Sequence, residues 1–258
     1  MNNILIKLEN LVKTFGGLVA LNDCSLEIKD KAITGIIGPN GSGKTTLFNV
    51  ITGNLKPDTG KVFYNGVEIT NEESHDLFHL GVLRTFQIAH EFSNMTVIEN
   101  LMVVPGNQKG EKLLYSLMNS QKIKKEDELI KDKAMEVLKF LKIEHLKNER
   151  AGNLSGGQKK LLELARTMMV DAKIVFLDEV GAGVNKTLLR DISDSILKLN
   201  QDKGYTFCMI EHDFNFISEL CDPVIVLAEG SVLFKGSAED VKSNEQVIES
   251  YLGKGLKK

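Results

Sequence analysis

Apolar residues run along this chain in two rhythms. Near the N-terminus, ILIKLENL and CSLEI read as strands, and AITGIIG carries an apolar run into a glycine-rich loop. The apolar helix TTLFNVITG comes next, then a short strand, KVFYNG, before a turn. Beyond Arg84, Thr85, Phe86 and Gln87 the texture changes, and residues 96–169 carry almost only helical period. In EDELIKDKAMEVLKFLK, the residues Ile130, Ala134, Val137, Leu138 and Leu141 fall on one face of a helix. From Lys173 strands and helices alternate again, through KIVFLDE, YTFCMIEHD and PVIVLAEG. The simplest architecture for that order is a sheet-based α/β core interrupted by a helical insertion near residues 88–165.

The run Ile174 to Leu177 suits a strand buried on both faces of a parallel sheet, and it ends on two adjacent carboxylates, Asp178 and Glu179. Open α/β sheets bind ligands beyond the carboxyl ends of their strands, so these two groups are expected to face a bound cation. Composition narrows the alternatives. With 258 residues the chain has room for one large α/β domain or a core with an inserted subdomain. A formal net charge of −3 gives no global basic field to attract nucleic acid. Cys24, Cys208 and Cys221 lack CxxC spacing and are expected to be small core hydrophobes in a reducing compartment. No apolar run approaches the roughly 18 residues of a membrane helix, which predicts a soluble, cytoplasmic chain that can still dock on a membrane protein. His75 and His79 have i, i+4 spacing, but nothing else suggests a metal, and they are expected on a helix surface.

GPNGSGKT, Gly38 to Thr45, matches G-x-x-x-x-G-K-[ST] between a strand and a helix, the context that motif requires. Its glycines leave the backbone free to curl, so that N–H groups surround a phosphate at a helix N-terminus. Lys44 is expected to reach the β- and γ-phosphates, and Thr45 to coordinate Mg²⁺. Asp178 becomes a carboxylate for the same ion, and Glu179, one residue further on, is placed to orient and deprotonate an attacking water. GTPases and small-molecule kinases share this loop, so the motif alone does not choose among them.

LSGGQ, residues 154–158, opens a helix whose apolar positions include Leu161, Leu162, Ala165, Met168 and Met169. Ser155 and Gln158 have capping-box spacing. Gly156 and Gly157 in the first turn also let a phosphate approach the bare N–H groups, so one chain carries two phosphate-binding helix starts separated by the insertion.

With these residues together, the chain resembles the ATP-binding cassette ATPases of membrane transporters over essentially its whole length: GPNGSGKT, LSGGQ and VFLDE stand in that family's order, with Gln87 of RTFQ between the first two and His212 of IEHD after the third. The resemblance implies a P-loop NTPase (RecA-like) α/β core from residues 1–87 and 166–258, with an N-terminal antiparallel β subdomain and an inserted α-helical subdomain at 88–165. It implies ATP and Mg²⁺ as cofactors, bound by Gly38, Pro39, Asn40, Gly41, Ser42, Gly43, Lys44, Thr45 and Thr46. Phe15 matches the aromatic that stacks on adenine. Gln87 matches the residue joining Mg²⁺ and water to the transmembrane partner, and His212 the histidine that contacts the γ-phosphate. Ser155, Gly156, Gly157 and Gln158 face the nucleotide of a second cassette, so two sites form at a homo- or heterodimer interface.

Within the family, FGGLVALND, TGNLKPDTG, GVLRTFQ, NMTVIENLMV and VIESYLG resemble the subgroup that energises branched-chain amino-acid importers. That subgroup implies transmembrane permease subunits, a paralogous second cassette, a periplasmic solute-binding protein and no nucleic acid. Urea-import and lipopolysaccharide-export ATPases are near relatives in pattern. A soluble cassette acting on nucleic acid would bring a long coiled coil or a second cassette in the chain, and a non-hydrolysing module would typically lose the base or the lysine. Two departures stand out. Val180 occupies the usual proline position after the glutamate and removes a fixed φ beside the base, and Asn185 stands where many members have aspartate. Turnover is expected to survive, because Glu179 is intact.

Overall fold

The structure is a computed structural model that describes residues 3–85, 91–106, 108 and 120–252. In chain order its elements are β1 (Ile4–Phe15), β2 (Leu18–Lys29), β3 (Ile33–Ile37), α1 (Lys44–Ile51), β4 (Thr59–Tyr64), β5 (Val67–Glu68), α2 (Ser74–His79), β6 (Val82–Arg84), α3 (Val97–Met102), α4 (Ser120–Phe140), α5 (Gly156–Met168), β7 (Ile174–Asp178), α6 (Lys186–Lys203), β8 (Thr206–Ile210), α7 (Phe214–Leu220), β9 (Val224–Ala228), β10 (Ser231–Gly236), α8 (Ala238–Ser243) and α9 (Glu245–Leu252). Two compact units divide the chain. The first comprises Met1–Arg84, Lys173–Ala182 and Ile196–Lys258, and the second Thr85–Ala172 and Gly183–Ser195.

The first unit holds two sheets. In one, antiparallel throughout, the strand order is β2-β1-β4-β5. Its long β1–β2 hairpin turns on Gly16 and Gly17 alone, since β1 ends at Phe15 and β2 begins at Leu18. A two-residue turn of this kind needs positive φ, which Gly16 supplies at +59°. The other sheet has the order β10-β9-β3-β8-β7-β6. Its strands from β9 to β6 run parallel, and β10 pairs antiparallel at one edge. Every residue of β3, β7 and β8 is buried, as expected where helices cover both faces. Phe48 of α1 meets Phe176 of β7 edge-to-face at 5.0 Å between ring centroids, inside a cluster that also holds Leu47, Ile51, Cys208 and Ile210. The three cysteines are buried and free, and burial pushes the Cys24 thiol up to about 12.

The second unit is helical. On α4, Ala134, Val137 and Leu138 are buried, as is Leu141 just beyond it, while Ile130 is half-buried. On α5, Leu161, Leu162 and Ala165 point inward with Met169, and Met168 is only half-buried. A Thr96–Glu99 capping box starts α3, and the buried Asn100 amide accepts from the Phe92 N–H at 2.8 Å and donates to the Thr96 carbonyl at 2.9 Å. These bonds replace the regular ladder that the chain leaves between its helices. Among the described residues no helix is long and apolar enough to cross a membrane.

Candidate active site

Sheet order assembles the site. Strands β3, β8 and β7 are neighbours, and their register places Ile36, Ile210 and Asp178 in one row. The segments leaving these strands therefore emerge at one level: the loop from Gly38 after β3, Glu179 after β7, and Glu211 with His212 after β8. They are far apart in the sequence, and parallel pairing alone makes them adjacent.

The loop curls because its backbone must. Gly43 has φ +98°, and a Cβ there would stand 2.4 Å from the Ala20 carbonyl oxygen, so no other residue fits without displacing backbone. It leads directly into α1, which no side chain caps, so the helix presents its first N–H groups to the loop. The Lys44 ammonium is buried and donates to the carbonyls of Gly38 at 2.7 Å and Pro39 at 3.0 Å. Burial pushes it below the usual lysine range, with the carboxylates of Glu179 and Asp178 opposing that shift. The Ser42 hydroxyl is buried in the same loop with no hydrogen-bond partner among the described residues. Thr45 is exposed at the helix start and Thr46 half-buried, as is Pro39; Asn40 and Gly41 are exposed.

Asp178 is only 2% exposed. A buried carboxylate needs a counter-charge, and Arg84 of β6 supplies it: one guanidinium nitrogen lies 2.7 Å from Asp178 Oδ2, and another donates to Asn49 Oδ1 on α1. The same guanidinium sits 5.7 Å from the Phe48 ring centroid. With Oδ2 held by Arg84, Oδ1 remains for a cation. Mg²⁺ takes one or two carboxylates together with substrate phosphates, and the oxygen donors of Asp178 and Thr45 fit that preference.

Glu179 has φ +50°, a left-handed backbone that costs a non-glycine residue about 1–2 kcal/mol. The surroundings hold it there. Its N–H donates to the Ile210 carbonyl at 3.0 Å, and its own carbonyl accepts from Ala182 at 3.2 Å, closing a tight turn over Val180 and Gly181. Its carboxylate lies 2.9 Å from His212 Nε2. Lys44, Asp178, Glu179 and His212 are thus brought together in the first unit. Phe15 is also there, at the end of β1, 48% exposed and with the Lys13 ammonium 5.8 Å from its ring centroid.

Gln87 lies outside the described residues. In the second unit Ser155 caps α5: its Oγ accepts from the Gln158 N–H, and Gln158 Oε1 accepts from the Ser155 N–H at 2.9 Å. Gly156 faces open space, whereas a Cβ on Gly157 would meet Leu188 Cδ2 at 2.2 Å, so the second glycine is required by packing against α6. Asn185 accepts from the Leu188 N–H at 3.0 Å and so caps α6. His75 and His79 stack edge-to-face on α2, with ring centroids 4.6 Å apart.

Two residues of the site escaped the sequence reading. Arg84 is a charge at the end of a short apolar strand. Glu211 closes an apolar strand as Asp178 does, and that same pattern could have singled it out. Glu211 is buried, and its Oε1 accepts from the Gly181 N–H at 2.8 Å. Burial pushes its carboxyl above the usual range, against the N–H groups of Gly181 and His212 and despite the nearby imidazole.

The chain is also similar to known proteins. The ABC transporter family model matches residues 21–182. A protein of Archaeoglobus fulgidus described as "Probable branched-chain amino acid transport ATP-binding protein LivG" is 43% identical over 249 residues, 96% of this chain and 95% of that protein. A crystal structure of a nucleotide-free ATP-binding cassette from an ABC transporter superposes with a TM-score of 0.84 at 41% identity, covering 97% of this chain and 100% of that one. A dimeric cassette bound to ADP and Pi in a post-hydrolysis state superposes with a TM-score of 0.75 at 25% identity, covering 91% of this chain and 99% of that one. The chain belongs to the ABC transporter family, as one of its ATP-hydrolysing cassettes.

Proposed function

We propose that the chain works as one of two cassettes on the cytoplasmic face of a membrane importer for branched-chain amino acids or similar small polar solutes. The convergence of Lys44, Asp178, Glu179 and His212 at the ends of β3, β7 and β8 carries the hydrolytic part of this reading. The solute class is supported by the description of a relative 43% identical to this chain. In this reading residues 1–87 and 166–258 form the nucleotide-binding core, and 88–165 the helical subdomain.

The loop from Gly38 to Thr46 receives the phosphates on its N–H groups, and Lys44 neutralises the β- and γ-oxygens. Thr45 and Asp178 hold Mg²⁺, with Gln87 as a further ligand; the ion supplies charge neutralisation at the transferred phosphoryl group. Phe15 stacks on the adenine. Glu179 orients the attacking water and accepts its proton, while His212 contacts the γ-phosphate from beside the carboxylate. Ser155, Gly156, Gly157 and Gln158 of a second cassette, identical or paralogous, close over the γ-phosphate. Permease subunits receive the motion through the segment from Gln87 to Met102, and a periplasmic binding protein delivers the solute.

Glu179→Gln tests the base. In the assembled transporter it is expected to lower the ATPase rate about 10²- to 10⁴-fold while ATP still binds, and an unchanged rate refutes the assignment. The solute is tested in vesicles: leucine-loaded binding protein should stimulate hydrolysis, and stimulation by urea alone would move the chain to the other branch.

A further inference from the structure

The turn after Glu179 lacks a local restraint. Ala182 donates to the Glu179 carbonyl at 3.2 Å, which makes Val180 the second and Gly181 the third residue of a β-turn. Proline is favoured at the second position because its ring fixes φ, and glycine at the third is the most permissive residue available. The chain therefore places a free φ and its loosest residue directly after a glutamate held at φ +50°. Such a backbone persists only where its surroundings over-determine it.

Beyond the bond from the Glu179 N–H to the Ile210 carbonyl, a second long-range bond restrains the turn itself. The Gly181 N–H, which the turn itself leaves unused, donates to Glu211 Oε1 at 2.8 Å. Glu211 is 5% exposed and stands at the end of β8, next to the strand that delivers Glu179. Its neighbour His212 reaches the Glu179 carboxylate at 2.9 Å. Two consecutive residues after β8 thus grip the Glu179 segment at two points, His212 by the side chain and Glu211 by the backbone beyond it.

We infer that Glu211 is a positioning residue: by accepting the Gly181 N–H it locks the turn over Val180 and aims the Glu179 carboxylate. The inference rests on the proposed role of Glu179 as the base. Glu211 needs only an acceptor oxygen for this task, and a proline at position 180 would perform the same task from within the turn.

Glu211→Met keeps the side-chain length and removes the acceptor, and Glu211→Gln keeps the acceptor and removes the acid. In the full chain, amide hydrogen exchange at Gly181 is expected to rise about tenfold in Glu211→Met, the scale of one lost hydrogen bond, and to stay near wild type in Glu211→Gln. In the assembled transporter Glu211→Met should lower kcat about ten- to a hundredfold with KM for ATP nearly unchanged, since a misaimed group costs the chemical step and not substrate binding. Adding Val180→Pro to Glu211→Met should recover most of that kcat, judged against Val180→Pro alone, while Gly181 exchange stays fast. Wild-type kcat in Glu211→Met, equal loss in Glu211→Gln, or no recovery with proline overturns the inference. Should Glu211→Met not fold, Glu211→Ala is read in the same way. Glu179→Gln separates the two readings. If it still turns over, the base assignment has failed while Gly181 exchange continues to report on the turn; if it is inactive and Glu211→Met is not, only the inference has failed.

Discussion

Arg84 and Asp178 form a buried ion pair whose members cannot be removed singly at low cost. Truncating one leaves an uncompensated charge inside the sheet, and such changes typically cost about 3–5 kcal/mol. Arg84→Ala is therefore expected to lower the unfolding free energy by that order, read from urea titration. Arg84→Lys should lose less, because it keeps the charge and forfeits only the fork that also engages Asn49. Glu211 makes a prediction about pH. Its folded carboxyl titrates above the ordinary value of 4.5, because burial disfavours the charged form. Its contribution to stability is full below 4.5 and is lost as pH rises through the raised value. Thermal midpoints of wild type relative to Glu211→Gln should accordingly fall over that interval, and a pH-independent difference would contradict the assignment. Lys44, Asp178 and Glu179 were legible in the sequence because a motif or an abrupt end to an apolar run marks them. Arg84 was not, since the partner of a charge closing a strand is chosen by sheet order, which no local pattern carries; Glu211 ends an apolar run just as Asp178 does, but its bond to the Gly181 N–H is likewise set by sheet order.

Helical elements were read most fully. The apolar face running from Ile130 on α4 to Leu141 just beyond it follows a 3.6-residue period, and all but one of its named positions are buried. Leu138→Ala should cost about 2–5 kcal/mol by cavity formation, whereas Leu129→Ala on the exposed face should fall within about 0.5 kcal/mol of wild type; chemical denaturation of the two variants checks the contrast. At the start of α5, Ser155→Ala removes one arm of the capping box and is expected to cost about 1 kcal/mol. Strands were harder. β1 and β2 extend well beyond ILIKLENL and CSLEI, because VKTF and LVAL continue the pairing through a Gly16–Gly17 hairpin. The glycine pair was a hairpin signal, but flanking polar residues and register shifts in the ladder blur the alternation. β6 has only Val82–Arg84, too short for any period, and exists because β7 offers it an edge.

For the molecule as a whole, the alternation of strands with helices after Lys173 announced the parallel sheet, and the order of its strands could not be read from it. β3 shows why. Both of its neighbours, β8 and β9, come from the last quarter of the chain: Ile33 pairs with Phe207, and Gly35 with Val224. While the protein is being made, the strand that leads into the phosphate loop has neither flank until the ribosome has passed Thr206 and then Val224. Until then it exposes two unpaired edges of an apolar run, the kind of species that associates wrongly. Chains released before Val224 should aggregate rather than acquire nucleotide protection, so a nonsense mutation shortly ahead of that position would be as damaging as an early one.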